Sequence, residues 1–244
     1  MAKSKYLFPE MDKTTMAIER LKLFEPKEGY HLAFSGGKDS QVIYRLAEMS
    51  GVKFDAHYQV TTVDPPELMQ FMRRKYPDVK FELPELTMWE LIPKKRMPPT
   101  QLVRYCCEYL KERGGEGRFV VTGIRALESP KRMNSRRMME NCHPKQKQVL
   151  NPIIDWNIND VWDFTNKGIG YHCKLYDEGW DRIGCIGCPM GNKKNMLMQF
   201  KRYPTIKNKY IKAFDEMIRV RKERGMKTTW KTAQEVFDWW VYRT

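Results

Sequence analysis

The stretch that decides the fold is Tyr30-His31-Leu32-Ala33-Phe34-Ser35-Gly36-Gly37-Lys38-Asp39-Ser40. Its apolar first half predicts a strand, and the residues Gln41–Met49 that follow it predict a helix. The paired glycines allow a bend with positive φ, so that backbone N–H groups and the helix N-terminus face an anion. Lys38 adds a positive charge, and Ser35, Asp39 and Ser40 can cap the helix or reach phosphate and a metal ion. The stretch predicts a phosphate site, and the alternative is an ordinary strand-to-helix turn.

The composition indicates an anionic partner. The chain has 244 residues, of which 41% are hydrophobic, and its net charge is +14. This length fits one domain with embellishments, and the apolar content is enough for a core. The charge indicates binding of nucleotides or of a larger polyanion such as nucleic acid. The alternative is a basic surface that meets only solvent.

The sequence also predicts a cellular compartment. No run is long and apolar enough to cross a bilayer, and Met1–Glu10 lacks the hydrophobic centre of a signal peptide. We therefore expect a cytoplasmic protein with no membrane partner. In that reducing compartment we expect its six cysteines to serve metal binding or catalysis instead of disulfides.

Strand-like segments alternate with helical ones along the chain. After the first strand, apolar strand candidates lie at Phe54–Val60, Val79–Leu83, Phe119–Thr122 and Val149–Ile154. Segments with a helical period lie at Asp12–Phe24, Pro66–Tyr76, Thr100–Arg113, Asn157–Lys167 and Thr232–Val241. The alternation predicts an α/β fold with a doubly wound, mostly parallel sheet of about five strands. We expect a leading helix over 1–29, a nucleotide-binding domain over 30–190 and a basic helical extension over 191–244.

Two further polar stretches are candidates for the ligand site. Asp64 follows the second predicted strand, and the carboxyl ends of parallel strands are where open sheets bind ligands. Residues Arg125–Arg137 combine several basic side chains with Glu128 and Ser129, and they offer few apolar residues to fix a helix. We expect a mobile anion-binding loop there, and the alternative is a solvated basic loop.

Four cysteines form two close pairs. Cys185 and Cys188 stand in a turn that Pro189 and Gly191 mark, whereas Cys106 and Cys107 are adjacent in a helical segment. Four thiolates from two segments suit a [4Fe-4S] cluster or a structural zinc ion. We favour the cluster because adjacent ligands on one helix are unusual for zinc. The alternative is unligated thiols, with Cys106 packed in the core. Cys142 and Cys173 lie outside this set.

In their order these motifs resemble the phosphoadenosine phosphosulfate (PAPS) reductase family and its sulfur-transfer relatives over residues 30–190. Ser35–Ser40 is similar to the PP-loop of the adenine nucleotide alpha-hydrolase superfamily. Gly123-Ile124-Arg125 with Glu128, Ser129 and Arg132 is similar to the family's Gly-x-Arg-x-x-Glu-Ser-x-x-Arg substrate loop, and Asn151–Trp162 to the segment that enters its last helix. Val63-Asp64 stands where relatives carry an aspartate, and the paired cysteines look like the cluster ligands of the iron-sulfur reductases and of the DNA phosphorothioation enzyme.

Two departures distinguish branches of the family. Sulfonucleotide reductases end in a tail with a catalytic cysteine, whereas no cysteine follows Cys188 here. Those reductases also carry a relaxed PP-loop, whereas this chain keeps Lys38 and Asp39, as the ATP-cleaving members do. Both departures favour ATP over PAPS as the nucleotide.

The resemblance therefore implies an ATP pyrophosphatase that adenylates an acceptor for sulfur transfer. The expected catalytic residues are Lys38, Asp39, Asp64 and Arg125, with Mg²⁺ at Asp39 or Asp64. The adenine nucleotide is expected at Ser35, Gly36, Gly37, Lys38, Asp39, Ser40, Arg125, Glu128 and Arg132. A [4Fe-4S] cluster is expected at Cys106, Cys107, Cys185 and Cys188, with zinc as the alternative. Nucleic acid and a sulfur-donor protein are the candidate partners.

Two other functions stay open. A PAPS or adenosine phosphosulfate reductase would need Cys142 or Cys173 as a substitute nucleophile. A non-catalytic nucleic-acid-binding protein would use the same fold and hold a zinc ion at the paired cysteines.

Overall fold

The structure is a computed structural model that describes residues 12–142 and 147–243. In this part of the chain six strands form one sheet in the order β3-β2-β1-β4-β6-β5. The strands are β1 (Tyr30–Ala33), β2 (Phe54–Gln59), β3 (Lys80–Glu82), β4 (Phe119–Val121), β5 (Met139–Cys142) and β6 (Lys147–Leu150). Parallel pairing joins β1 to β2 and β4, and β4 to β6, whereas β5 runs antiparallel to β6. The predicted doubly wound, mostly parallel α/β sheet is confirmed.

Helices connect and follow the strands. They are α1 (Lys13–Leu23), α2 (Lys38–Ser50), α3 (Pro66–Lys75), α4 (Met88–Lys95), α5 (Tyr105–Leu110), α6 (Pro130–Ser135), α7 (Ile158–Phe164), α8 (Lys193–Arg202), α9 (Pro204–Glu223) and α10 (Ala233–Arg243). A 3₁₀ turn covers Ala126–Glu128, and a π turn extends α7 over Thr165–Ile169. No helix among the described residues has the length and apolar content needed to span a membrane.

The prediction of a mobile loop over Arg125–Arg137 is wrong. The 3₁₀ turn and α6 occupy most of this stretch. Ser129 caps α6, since its Oγ accepts a hydrogen bond from the backbone N–H of Arg132 at 3.2 Å, and Pro130 occupies the first helical position. Arg132 also pairs with Glu128, one helical turn earlier. Polar interactions thus fix a short helix that the apolar pattern did not predict.

The helix predicted over Thr100–Arg113 begins later, at Tyr105. Its predicted first turn is instead a local loop, in which the backbone N–H of Thr100 donates to Val103 O at 3.1 Å. The hydroxyl of Thr100 accepts from the N–H of Val103 at 3.1 Å. Threonine side chains that bond to nearby backbone compete in this way with helix formation.

The chain folds into two compact units. Unit 1 comprises Met1–Tyr58, Phe71–Lys80 and Gly115–Asp181, and unit 2 comprises Gln59–Gln70, Phe81–Gly114 and Arg182–Thr244. The core of unit 1 includes Leu32, Ile43, Leu46, Leu150 and Trp156. The core of unit 2 includes Leu91, Tyr210, Phe214, Val236 and Trp240. The three-part division predicted from the sequence stays a prediction.

Candidate nucleotide loop and thiol cluster

The PP-loop in unit 1 is held in shape by its own side chains. Ser40 Oγ accepts from the backbone N–H of Ser35 at 3.1 Å and donates to Gly37 O at 2.8 Å. The Gln41 amide donates to Gly36 O at 2.9 Å, and Gly36 adopts a φ of +70° that favours glycine. Helix α2 begins at Lys38, and its N-cap residue Gly37 has no side-chain cap. The predicted strand, glycine bend and helix are therefore confirmed.

Two basic side chains converge on Asp39. Arg125 is buried, and its Nε donates to Asp39 Oδ1 at 2.5 Å. Lys38 Nζ lies 3.6 Å from Asp39 Oδ2 and donates to the backbone oxygen of Asp181 at 3.3 Å. Gly123 permits this approach, because a Cβ there would lie 2.9 Å from the backbone of Asp39. The structure thus brings Lys38, Asp39 and Arg125 together, and their role in binding a nucleotide stays a prediction.

The other predicted residues of the substrate loop make local contacts. Glu128 and Arg132 form their ion pair beside the 3₁₀ turn, and both side chains are half-buried. Arg125, which contacts Asp39, directly precedes this turn. The role of Glu128 and Arg132 in binding a nucleotide stays a prediction.

In unit 2, Asp64 closes a tight turn. Asp64 Oδ2 accepts from the N–H of Thr61 at 2.8 Å, and its Oδ1 accepts from the hydroxyl of Thr61 at 2.6 Å. Thr62 between them has a φ of +66°, a conformation that is strained for a β-branched residue. The Thr62 hydroxyl accepts from the N–H of Met88 at the start of α4. The role of Asp64 in binding Mg²⁺ stays a prediction.

The turn between Cys185 and Cys188 is held by residues far away in the sequence. The N–H of Ile186 donates to Val63 O at 2.8 Å, and the Tyr210 hydroxyl donates to Ile186 O at 3.0 Å. Gln199 Oε1 accepts from the N–H of Gly187 at 2.9 Å. Gly187 has a φ of +71°, and a Cβ there would lie 2.6 Å from the ring of Phe200. Only glycine fits this position without displacement of a buried ring.

The four paired thiols all belong to unit 2 and influence one another. The hydrogen bond between Cys106 and Cys107 raises the pKa of Cys106, which burial raises further, and lowers the pKa of Cys107. The charges of Cys185 and Cys188 also raise the pKa of Cys106, so both segments lie within electrostatic reach. Burial raises the pKa of Cys185, and nearby Lys111 opposes that shift.

Lys111 and Thr61 complete the surroundings of Cys185. The negative charge of Cys185 raises the pKa of Lys111, and Asp64 and Cys188 add to this effect. The Cys185 thiol donates to the hydroxyl of Thr61 at 3.4 Å. Neither Lys111 nor Thr61 belongs to the motifs that the sequence indicated. The position of Lys111, four residues after Cys107, could have signalled it, because residues four apart share one face of a helix.

Four sulfur donors from two segments have the ligand chemistry of a soft metal centre. Among residues 12–142 and 147–243, no group of three or more His, Cys, Asp or Glu side chains is arranged to hold a metal ion. The cluster therefore stays a prediction that rests on the donor set. The two remaining cysteines differ: Cys173 is fully buried, and the side chain of Cys142 lies outside the described part.

The fold and the PP-loop define a class of nucleotide-binding protein, and comparison with known proteins agrees. Residues 29–191 match the phosphoadenosine phosphosulfate reductase domain. The chain belongs to this family, within the PP-loop superfamily, as the sequence motifs predicted.

Curated relatives are distant. An uncharacterized protein of Methanocaldococcus jannaschii is 27% identical over 227 residues, which cover 86% of this chain and 54% of that protein. The adenosine 5'-phosphosulfate reductase of Staphylococcus haemolyticus is 28% identical over 173 residues, which cover 63% of this chain and 68% of the enzyme. The chain spans about half the length of the archaeal relatives it matches, with 54% and 40% covered in two of them.

Solved structures share the fold. PAPS reductase from Candida auris in a phosphate complex aligns with a TM-score of 0.52 and 16% identity, covering 72% of this chain and 89% of that chain. Candida glabrata FMN adenylyltransferase in complex with FMN and the ATP analog AMPCPP aligns with a TM-score of 0.50 and 15% identity, covering 71% of this chain and 61% of that chain. At these identities the likeness supports the α/β architecture alone.

Proposed function

We propose that this protein is an ATP pyrophosphatase that adenylates an oxygen of an acceptor, so that sulfur can replace that oxygen. The main support for this proposal is the contact of Lys38, Asp39 and Arg125 at the N-terminus of α2. Asp39 orients two cations at the end of a helix whose first amides favour anions. A polyphosphate fits this arrangement better than a neutral substrate does.

The chain's own groups account for phosphate binding and leaving-group stabilisation. The loop amides and Lys38 hold the phosphates, and Arg125 donates to the acceptor or to the leaving group through charge-assisted hydrogen bonds. The acceptor oxygen attacks the α-phosphorus, the bond to the β-phosphate breaks, and pyrophosphate leaves. A sulfur nucleophile then attacks the activated centre, and AMP departs with the acceptor's oxygen.

The proposed reaction also uses Mg²⁺ and an iron-sulfur cluster, which the chain would bind. Mg²⁺ would be held by Asp39 or Asp64 and would neutralise charge on the phosphates. A [4Fe-4S] cluster would be held by Cys106, Cys107, Cys185 and Cys188, where it supplies or relays sulfur or stabilises unit 2. The sulfur itself would come from the cluster or from a donor protein.

Nucleic acid is the acceptor we favour. Residues 182–244 contain 15 Lys and Arg against 5 Asp and Glu, so this stretch alone carries +10 of the net charge. Lys194, Lys201 and Lys212 are exposed on α8 and α9. Exposed lysines on helices bind a phosphate backbone without sequence preference.

The activity is tested with anaerobically reconstituted protein, ATP and candidate acceptors, by measuring AMP and pyrophosphate. We expect release of both products from the wild type and a loss of at least about a hundredfold in Lys38→Ala, because a phosphate-binding charge is removed. Lys27→Ala, at an exposed site before β1, is the matched control and should keep full activity. Release of AMP that survives Lys38→Ala would contradict the proposal.

The acceptor is tested by salt-dependent binding of DNA and RNA oligonucleotides. Lys212→Ala should weaken binding and reduce the slope of log affinity against log salt by about 1, as for one lost phosphate contact. Arg219→Ala on the same helix is the control, because Arg219 is already paired with Glu216 and Glu223. Binding that is absent, or independent of salt, would contradict a nucleic-acid acceptor.

A second candidate is a sulfonucleotide reductase, which the names of several relatives favour, among them the staphylococcal adenosine 5'-phosphosulfate reductase. It requires a cysteine nucleophile, and the complete burial of Cys173 opposes that role for it. Sulfite formation from adenosine phosphosulfate or PAPS that is lost in Cys142→Ser would support this candidate. Sulfite formation that is retained in Cys142→Ser and Cys173→Ser would exclude these two nucleophiles.

A further inference from the structure

Tyr176 occupies the junction between the PP-loop and α2. The backbone N–H of Lys38 donates a hydrogen bond to the Tyr176 hydroxyl at 3.0 Å. The same hydroxyl lies 3.5 Å from the point where a Cβ on Gly37 would stand. Lys38 is the first residue of α2, so the hydroxyl caps an amide that the helix itself leaves without an acceptor.

Packing fixes the ring of Tyr176 in this position. It meets the ring of Trp162 edge to face at a centroid distance of 5.1 Å. Lys38 Nζ lies 5.4 Å from the centroid of Tyr176 and 6.0 Å from that of Trp162. Since Lys38 Nζ also donates to Asp181 O, residues 176–181 engage both the amide and the amine of Lys38.

These contacts compete with a phosphate for the same donor. A backbone N–H carries one hydrogen, so a phenol oxygen and a phosphate oxygen cannot both accept from it with good geometry. The phosphate oxygen carries charge, and hydrogen bonds to a charged acceptor are stronger than those to a neutral hydroxyl. A bound phosphate should therefore displace the hydroxyl, and part of its binding free energy is spent in doing so.

We propose that Tyr176 belongs to the nucleotide site, where its hydroxyl holds the position of a phosphate oxygen on the Lys38 amide and leaves when phosphate binds. This inference rests on the proposed function, because it takes the PP-loop to bind the phosphates of ATP. Tyr176 is a positioning residue here. It keeps the first amide of α2 hydrogen-bonded in the free protein, and it lowers the affinity of the loop for any phosphate.

The test is calorimetric titration of the full chain with inorganic pyrophosphate and with ATP, comparing the wild type with Tyr176→Phe. The phenylalanine keeps the ring against Trp162 and removes only the oxygen. We expect the variant to bind both ligands about three- to tenfold more tightly, because one neutral hydrogen bond no longer opposes binding. Tyr171→Phe is the matched control, since Tyr171 lies in the same segment but contacts Lys75 and Tyr76. Its affinity should equal that of the wild type.

A second measurement uses tryptophan fluorescence to detect displacement of Tyr176 in the wild type. Pyrophosphate should change tryptophan fluorescence in the wild type, because Trp162 loses its fixed neighbour, and this change should vanish in Trp162→Phe. Unchanged or weaker binding by Tyr176→Phe, with normal binding by the wild type, would overturn this inference and leave the proposed function intact. Absence of saturable ATP and pyrophosphate binding in the wild type, Tyr176→Phe and Tyr171→Phe alike would overturn both.

Discussion

The PP-loop and the cysteine turn are both tight glycine-containing turns, but they are held in opposite ways. The glycine bend of the PP-loop is held by neighbours in the sequence: Ser40 and Gln41 bond to backbone groups between residues 35 and 37. The cysteine turn is fixed by Val63, Gln199 and Tyr210, which lie 12 or more residues away along the chain. The glycine bend is therefore stabilised by adjacent residues, whereas the cysteine turn depends on the packing of the rest of unit 2.

The largest effect is expected from Gly187→Ala in the cysteine turn. A Cβ would lie 2.6 Å from Phe200 Cζ and 3.1 Å from Trp240, at a φ of +71°. Strain and overpacking together should lower the free energy of unfolding by about 3 kcal/mol or more, measured by denaturant titration. The control is Gly184→Ala, where a Cβ meets no atom within 4 Å, and this variant should be near wild type. Equal stability of both variants would break the contrast.

Tyr210→Phe probes the long-range support of that turn. Tyr210 is buried and donates to Ile186 O, so the substitution leaves a carbonyl without this donor. We expect a loss of about 1–3 kcal/mol in thermal or chemical unfolding, together with weaker retention of metal by the reconstituted protein. Tyr242→Phe, at an exposed ring, should change neither quantity. A turn that holds metal normally without the hydroxyl would show that its support is more local than we infer.

Ser40→Ala tests whether adjacent residues hold the glycine bend of the PP-loop. The substitution removes the acceptor for the Ser35 amide and the donor to Gly37 O, which should cost about 1–2 kcal/mol of stability. It should also weaken pyrophosphate binding, because the loop amides lose their fixed directions. Ser50→Ala removes two hydroxyl hydrogen bonds at the other end of α2, one to Ala47 O and one from the N–H of Val52, and pyrophosphate affinity should not change. Equal affinities in the two variants would contradict local control of the loop.

The smallest expected effect is on the stability of the protein at acid pH, through Asp55. Burial raises the pKa of Asp55, but hydrogen bonds and charges of Arg118 and His57 outweigh it and hold the pKa below its usual value. A carboxyl with a lowered folded-state pKa stabilises the fold above its unfolded pKa of about 4 and loses this contribution as the pH falls further. Asp55→Asn should therefore flatten the decline of the unfolding midpoint between about pH 5 and pH 2. Because Asp55 and Arg118 are both partly exposed, the free energy of unfolding of Asp55→Asn at pH 7 should be lower than that of the wild type by about 1 kcal/mol at most.

The same contrast explains what the sequence could predict. The strand, the glycine bend and α2 follow from adjacent residues, and the family motif placed Arg125 beside them. The π turn, the late start of α5 and the capping of α6 by Ser129 depend on hydrogen bonds that apolar periodicity does not report. Tyr176 and Thr61 reach their sites only through folding, because each contacts a group more than 100 residues away. No local pattern encodes such a contact.

Thr62 has a practical consequence for anyone who wishes to stabilise this protein. Its left-handed backbone costs free energy, and its hydroxyl recovers some of it by binding the N–H of Met88. Asparagine tolerates that backbone better than threonine does and still offers a side-chain oxygen. We therefore expect Thr62→Asn to raise the unfolding temperature while a side-chain oxygen still accepts from the N–H of Met88. Thr62 is adjacent to Thr61, whose hydroxyl contacts the Cys185 thiol, so the gain in stability would be next to the thiol cluster.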